Sequence, residues 1–417
     1  MDKMLNDSNS TTGLSPALLA AAPHRLLFFV GALNVLLAMS WWLLWLIDAR
    51  WGVVGLRGGT PFGGWMHAFI MQYQLLPPFM FGFLLTTFPR WMGVPDLSRW
   101  HYVPVGVGLL GGQVSVVGGM LLGQDAMVHI GVVMALVGWG YGLVQLLRAL
   151  QAERRAGKGP TWHAWSCFAA LSLGWLGVLM MAAYLHGAGP WAVVVSIKLG
   201  TFGLLLPVYM TVAHRMFPFF AGNVIPGYRA WRPLWVLVTM WGLLAVHLGL
   251  ELAHANAWMW PVDALFALGS AALLWRWWPR GKAPGILWVL FLGMLWLPVG
   301  FALFAAQSAI YAASHDFVLG RGPQHALYIG FFGSLLVAMV TRVTQGHSGR
   351  PMAMPAAGWF AFALLQLVAL TRIAAEAVPD SYFWQVIAAA GWLLAFLPWA
   401  LRSLSIYLRP RADGRPG

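Results

Sequence analysis

The chain has 417 residues, of which 60% are hydrophobic and only 9% are charged, and its formal net charge is +13. Soluble globular proteins carry about 25% charged residues, and twelve acidic residues could not solvate the surface of so large a chain. The composition therefore excludes a soluble fold. The single cysteine, Cys167, also excludes an intramolecular disulfide, a four-cysteine zinc site and a cysteine-held iron–sulfur cluster.

Apolar segments long enough to cross a bilayer follow one another along almost the whole chain. A spanning helix needs about 20 mostly apolar residues, because unpaired backbone groups are costly in lipid. Twelve such runs lie between charged residues or Pro and Gly: 26–47, 66–88, 103–122, 127–149, 165–186, 191–213, 234–254, 259–277, 285–313, 324–342, 356–376 and 382–406. We therefore predict an all-α fold, a polytopic integral membrane helical bundle of about twelve transmembrane helices. Residues 1–24 would form an N-terminal tail, 25–406 a single transmembrane domain and 407–417 a basic tail.

The distribution of basic residues predicts the orientation of the bundle. If both termini are cytoplasmic, 20 of the 25 Lys and Arg residues lie on the cytoplasmic side, as the positive-inside rule requires. Arg50, Arg57, Arg321 and Arg372 lie outside, and Lys198 lies within a helix. Basic residues placed against anionic lipid account for the net charge. The lipid bilayer is thus the expected partner, and no nucleic acid is needed.

Half of the twelve histidines gather on the outer side in this topology, where almost no other charge lies: His67, His129, His186, His254, His315 and His325. Neutral histidine is not a topology signal, so the positive-inside rule does not explain this group. The histidines either serve metal or proton chemistry or sit at the interface as amphipathic side chains.

The seventh predicted helix carries His247, Glu251 and His254 on one narrow stripe, since residues four and seven apart share a helical face. A carboxylate and two imidazoles inside the membrane suit a metal site or a proton relay. The alternative is a polar stripe that packs against other helices.

Two further candidates lie inside predicted helices. His67 and Met71 are four residues apart, so both side chains can reach one point, and imidazole with thioether is typical of copper sites and haem axial ligation; alternatively Met71 only fills the core. Pro77-Pro78 interrupts the backbone hydrogen bonds of the same helix.

Lys198 lies about 10 Å inside the sixth helix, where it either snorkels outward or meets an anion such as Glu251 or a cofactor carboxylate.

Two clusters lie on the predicted cytoplasmic side. One is the HRMFPFF segment at 214–220, and the other is TRVTQGHSGR at 341–350. The second is rich in hydrogen-bond donors and could hold a phosphate, a propionate or a lipid headgroup; the alternative is a topology signal in headgroup contact. His325 and His347 are 22 residues apart, about 33 Å in a helix, so they cannot ligate the same metal.

Segment 325–350, HALYIGFFGSLLVAMVTRVTQGHSGR, resembles the signature of the NnrS family. The HRMFPFF segment and GFLLTTFPRW at 82–91 resemble two further stretches of that family, in the family's order. The resemblance implies a bacterial inner-membrane protein that contains haem, expected to be b-type, and copper, and that protects cells from nitrosative stress during denitrification. It also implies functional roles for His67, His325 and His347, with Arg342 and Arg350 beside the last.

The chain departs from the family at the start of the second helix. Many members read His-Ala-His-Glu-Met there, whereas this chain reads His67-Ala68-Phe69-Ile70-Met71. If the missing His and Glu ligate a metal, this protein has lost a ligand or has a different metal content. His247, Glu251 and His254 could compensate.

These features support three functions. In the first, an NnrS-like protein handles nitric oxide or metal-nitrosyl species, with His67 and His325 as haem or copper ligands and Lys198 or Arg321 neutralising propionates. In the second, a proton-coupled transporter uses an outer pocket of Lys198, Glu251 and His254. In the third, the chain is a non-catalytic partner of respiratory or denitrification proteins.

Overall fold

The computed structural model describes residues 13–56 and 61–415, and within these ranges the chain is helical and contains no strand. Twelve long helices follow in order: α1 Pro23–Trp51, α2 Gly63–Met92, α3 Val103–Leu122, α4 Asp125–Arg155, α5 Trp162–Leu185, α6 Pro190–Gly222, α7 Trp235–Leu252, α8 Trp260–Trp277, α9 Gly285–Ser314, α10 Gly322–His347, α11 Ala356–Ala374 and α12 Ser381–Tyr407. Each predicted span coincides with one of them, so the predicted polytopic helical bundle is confirmed.

In the described ranges, eleven of these helices are long and apolar enough to cross a membrane. The other, α8, has 18 residues and includes two charged side chains, Asp263 and Arg276. The backbone N–H of Ser15 donates to the carbonyl of Leu408 at 2.8 Å, so the two ends of the described chain lie at the same face. Two ends at the same face require an even number of crossings. Since eleven helices cross by their length and composition, α8 must also cross, which brings the number of crossings to twelve.

We call the face that holds Ser15 and Leu408 the terminal face and the opposite one the distal face. The predicted N-terminal tail is partly structured, because Pro16–Ala21 forms a short 3₁₀ helix and α1 begins at Pro23. Lys3 and Arg57, two of the basic residues from which the orientation was predicted, lie outside the described residues.

Three helices form the centre of the bundle. Within the most apolar window of each span, 89% of the residues are buried in α2 and 72% in α6 and α10, against 28–56% in the other eight spans. The peripheral helices instead expose large apolar side chains, such as Val238 and Leu268, which is the surface expected against lipid.

Each central helix contains a π-helical segment: Ile70–Leu75 in α2, Leu199–Leu205 in α6 and Ala326–Gly333 in α10. In α2 the cause is visible in the sequence, because Pro77 and Pro78 have no N–H to bond to the preceding turn. The side-chain amide of Asn34 donates to the carbonyl of Gln74 at 2.7 Å and so satisfies the oxygen that Pro78 leaves free. Such π segments are rare and often mark functional sites.

Candidate functional site

Two of the predicted ligands, His67 and His325, lie at the distal face where α2 and α10 begin, each just before a π segment. The ring of His67 stacks on the indole of Trp42 with centroids 3.9 Å apart. His325 is within electrostatic range of His67, Arg321 and Arg372. The structure therefore brings together two histidines that are more than 250 residues apart in sequence. We call this pair the distal histidine site.

The hydrogen bonds of the pair leave ring nitrogens free. Nδ1 of His325 lies 2.9 Å from the carbonyl oxygen of Arg321, and since a carbonyl only accepts, Nδ1 carries the proton. Nε2 of His325 then presents a lone pair, the arrangement in which a histidine ligates a metal. His67 has no hydrogen bond to any residue that the structure describes. Both imidazoles can therefore act as ligands.

A polar node joins the three π segments directly inside this site. Nε2 of Gln72 donates to the hydroxyl of Thr201 at 3.1 Å and to the carbonyl of Ile197 at 3.0 Å. The hydroxyl of Tyr328 contacts both Gln72 and Thr201. Sequence reasoning missed this node, although Pro77-Pro78 was a signal for irregular backbone in α2.

Four ionisable side chains cluster beside the node, on α6, α7 and α8. Lys198 pairs with Oε2 of Glu251, which resolves the two predicted alternatives for this lysine in favour of an anion. Nδ1 of His247 lies 2.5 Å from Oδ1 of Asp263, and its Nε2 lies 3.8 Å from Oε1 of Glu251. We call these four residues the ion cluster. Asp263 was missed, although an acid inside a mostly apolar span was a visible signal.

The predicted stripe of His247, Glu251 and His254 is wrong at its last member. The helix α7 ends at Leu252, and His254 has a left-handed backbone with φ of 54° and an exposed side chain. Its imidazole is therefore not on the face that carries Glu251. Nowhere in residues 13–56 and 61–415 do three or more His, Cys, Asp or Glu side chains gather in a way that could hold a metal ion, so metal ligation by His247 and Glu251 stays a prediction. Met71 packs against the apolar core.

The remaining predicted residues lie at the terminal face. The ring of His347 lies 4.2 Å from that of His24, centroid to centroid, and the guanidinium of Arg342 lies over the ring of Phe220. One terminal nitrogen each of Arg342 and Arg350 is buried without a hydrogen-bond partner in the described residues. Since His347 ends α10 and His325 lies near its start, the two cannot share a metal, as predicted. His24 was missed because it falls in the predicted tail.

Two more histidine pairs account for most of the others. Nε2 of His163 lies 2.9 Å from Nδ1 of His214, whose Nε2 donates to the carbonyl of Pro233 at 3.1 Å. His214 must therefore accept from His163, which fixes both tautomers. His129 and His186 meet with ring centroids 4.7 Å apart at the distal face. The first residue of the HRMFPFF segment, His214, is thus hydrogen-bonded on both ring nitrogens.

Comparison with known proteins agrees with the signature segments. No curated protein matches the chain. The family model described as "NnrS protein" matches residues 18–411, which include all twelve helices, the distal histidine site and the pair of His24 and His347. The chain therefore belongs to the NnrS family.

Proposed function

We propose that this protein binds a b-type haem at the distal histidine site and takes part in nitric oxide handling in the bacterial inner membrane. The observation that carries the proposal is the pairing of His67 and His325, with Nδ1 of His325 held by the carbonyl of Arg321. That hydrogen bond leaves Nε2 of His325 unprotonated and available to ligate iron, and it raises the basicity of this nitrogen.

The charges around the pair favour haem over a bare metal ion. Among the described residues, Arg321 and Arg372 are the cations within range of both histidines, and they would repel an uncompensated metal cation. Arg372 is already paired with Glu376, so Arg321 is the residue we assign to a haem propionate. Lys198, the other residue considered for that role, is engaged by Glu251.

The chain's own residues fix the geometry of the two ligands. Trp42 holds the His67 ring by stacking, and the backbone of α10 holds the His325 ring. The haem would supply an iron that nitric oxide, a small uncharged molecule soluble in lipid, could ligate in place of one of the two imidazoles. Copper is proposed second, with His67 and Met71 as ligands, because both lie at the start of α2.

The test is a visible spectrum of the detergent-purified full chain, with and without nitric oxide, together with iron and copper analysis. We expect a Soret band that shifts with nitric oxide and is lost in His67→Ala and in His325→Ala. The control is His186→Ala, because His186 is an exposed histidine of the same face. A wild-type protein with no Soret band and no stoichiometric iron or copper would overturn the proposal.

A further inference from the structure

The ion cluster contains two carboxylates, Glu251 and Asp263, but only one permanently positive group, Lys198. The side chains of His247, Glu251 and Asp263 are 1%, 7% and 0% exposed. With His247 neutral the cluster has a net charge of −1, and with one additional proton it is neutral. A net charge buried inside a membrane-spanning bundle is costly.

Among residues 13–56 and 61–415, no other charged group is in position to balance the cluster. The groups that face His247 from α6 and α9 are the rings of Phe202, Phe301 and Phe304. From α10, the group in range of Glu251 is the phenol of Tyr328. The cluster therefore reaches neutrality by holding one proton on the carboxyl of Glu251 or Asp263.

Tyr328 lies near both the ion cluster and the distal histidine site. The hydroxyl of Tyr328 contacts the hydroxyl of Thr201 and the side-chain amide of Gln72. The ring centroids of Tyr328 and His325 are 6.3 Å apart. Hydroxyl groups both donate and accept, so they can pass a proton in either direction. Lys198, His325 and Tyr328 are all partly exposed. Among the described residues no hydrogen bond joins Tyr328 to the carboxyls of the cluster or to His325, so a proton transfer needs a bridging water at each end.

We propose that the ion cluster stores one proton and exchanges it, through Tyr328 and Thr201, with water or a ligand held at the distal histidine site. A carboxyl of the cluster passes its proton through a bridging water to the Tyr328 oxygen, and the Tyr328 hydroxyl proton passes through the Thr201 hydroxyl to the water or ligand at the distal histidine site. The reverse movement restores the cluster, so no electron donor or other reactant is consumed. The inference rests on the proposed function only for the identity of the acceptor.

The experiment is infrared difference spectroscopy of the full-length protein in detergent, which detects a protonated carboxyl group without any cofactor. In wild type we expect a protonated-carboxyl band that exchanges its proton for deuterium, and we expect Glu251→Gln or Asp263→Asn to remove or shift it. Tyr328→Phe should keep the band but slow its exchange by about tenfold or more. The control is Tyr209→Phe, because the Tyr209 hydroxyl of α6 makes no hydrogen bond among the described residues; its exchange should match wild type.

Two results would overturn the inference: no protonated-carboxyl band in wild type, or equal exchange rates in wild type and Tyr328→Phe. Because Tyr328→Phe removes a single oxygen, it keeps the test available if a carboxylate variant does not fold. A protein that shows the band and its Tyr328 dependence but binds no metal contradicts the proposed function and leaves the proton site standing. A haem protein without the band contradicts the proton site alone.

Discussion

The imidazole of His67 and the indole of Trp42 stack almost face to face, with centroids 3.9 Å apart and an angle of 11° between the planes. Trp42 in turn stacks on Trp45 at 4.8 Å. Three flat rings from α1 and α2 thus form one column, and the orientation of the His67 ring is set by a neighbouring helix rather than by a hydrogen bond.

Replacing Trp42 with alanine should loosen the ring of His67 and weaken cofactor retention. An aromatic stacking contact contributes about 1 kcal/mol, which corresponds to about a fivefold loss of affinity, while Trp42→Phe should lose less because it keeps an aromatic face. The measurement is haem retained after detergent dialysis. Trp51→Ala is the control, because Trp51 is an exposed tryptophan at the end of the same helix. Equal retention in Trp42→Ala and Trp51→Ala would contradict the role assigned to the stack.

A second prediction concerns the packing of α3 against α4. A Cβ on Gly108 would meet the Cα of Gly138 at 2.6 Å, and one on Gly138 would meet the Cα of Gly108 at 2.8 Å. Both obstacles are backbone, which cannot move aside, so Gly108→Ala and Gly138→Ala should each destabilise the protein by about 1–3 kcal/mol.

Thermal unfolding in detergent measures this loss. Gly242→Ala is the matched control, because a Cβ at that helical position in α7 meets nothing within 4 Å, and it should unfold at or slightly above the wild-type temperature. A Gly108→Ala protein as stable as Gly242→Ala would show that α3 and α4 can move apart without cost.

The sequence predicted the helices well because crossing a bilayer demands a long apolar run, and such a run can be read residue by residue. The π segments are different, since they depend on which helices become central and which side chains meet there. Pro77-Pro78 signalled the irregular backbone in α2, and Pro207 follows Leu199–Leu205 in α6 at the same distance, but no proline lies within Ala326–Gly333 or in the helix that follows it.

The candidate site divides in the same way. His67 and His325 were predicted as ligands from the family resemblance, and no spacing rule could place them together. The stripe on α7 failed at His254 because the helix ends two residues before it. The missing acid, Asp263, comes from the next helix, 16 residues beyond His247, and a contact between two helices has no fixed period in the sequence.

The pairing of Lys198 with Glu251 leads to a third prediction. Lys198→Met leaves the carboxylate of Glu251 buried without its cation, and removing one partner of a buried pair costs about 3–5 kcal/mol. Because the Lys198 side chain is 27% exposed, we expect a loss below that range. The double variant Lys198→Met with Glu251→Gln should recover part of the stability, since no uncompensated charge remains. A double-mutant cycle of unfolding temperatures checks this, and strictly additive losses would show that the two groups do not interact.

The last two predictions concern the C-terminal segment, which closes the exposed end of α10. The guanidinium of Arg411 donates to the carbonyl of His347 at 3.0 Å, and the N–H of Ala412 donates to that of Ser348 at 2.9 Å. Both bonds satisfy carbonyls that the helix end leaves free. Gly349 lies against the segment and has a φ of 67°. A Cβ added to it would lie only 2.5 Å from the carboxyl carbon of Asp413.

Gly349→Ala should therefore displace the segment, both by strain in the left-handed region, about 1–2 kcal/mol, and by collision with Asp413. We expect faster trypsin cleavage after Arg411. Gly414→Ala is the matched control, because Gly414 has φ of 68° but nothing within 4 Å of its added Cβ. It carries the same strain without the collision, so equal cleavage in the two variants would leave strain as the sole cause.

The ion pair between Arg411 and Asp413 in the same segment should resist mild acid. The Arg411 guanidinium, which donates to the Asp413 carboxylate at 2.6 Å, holds the pKa of that carboxyl well below its usual range. A carboxyl whose folded pKa is depressed contributes stability above its unfolded pKa and loses it as pH falls through the folded value. Lowering the pH from about 8 to about 5 stays above both values, so cleavage after Arg411, corrected for the protease's own pH dependence, should not increase. An increase in wild type that is absent from Asp413→Asn would show that Asp413 is protonated in this range and that its pairing with Arg411 is weaker than the geometry indicates.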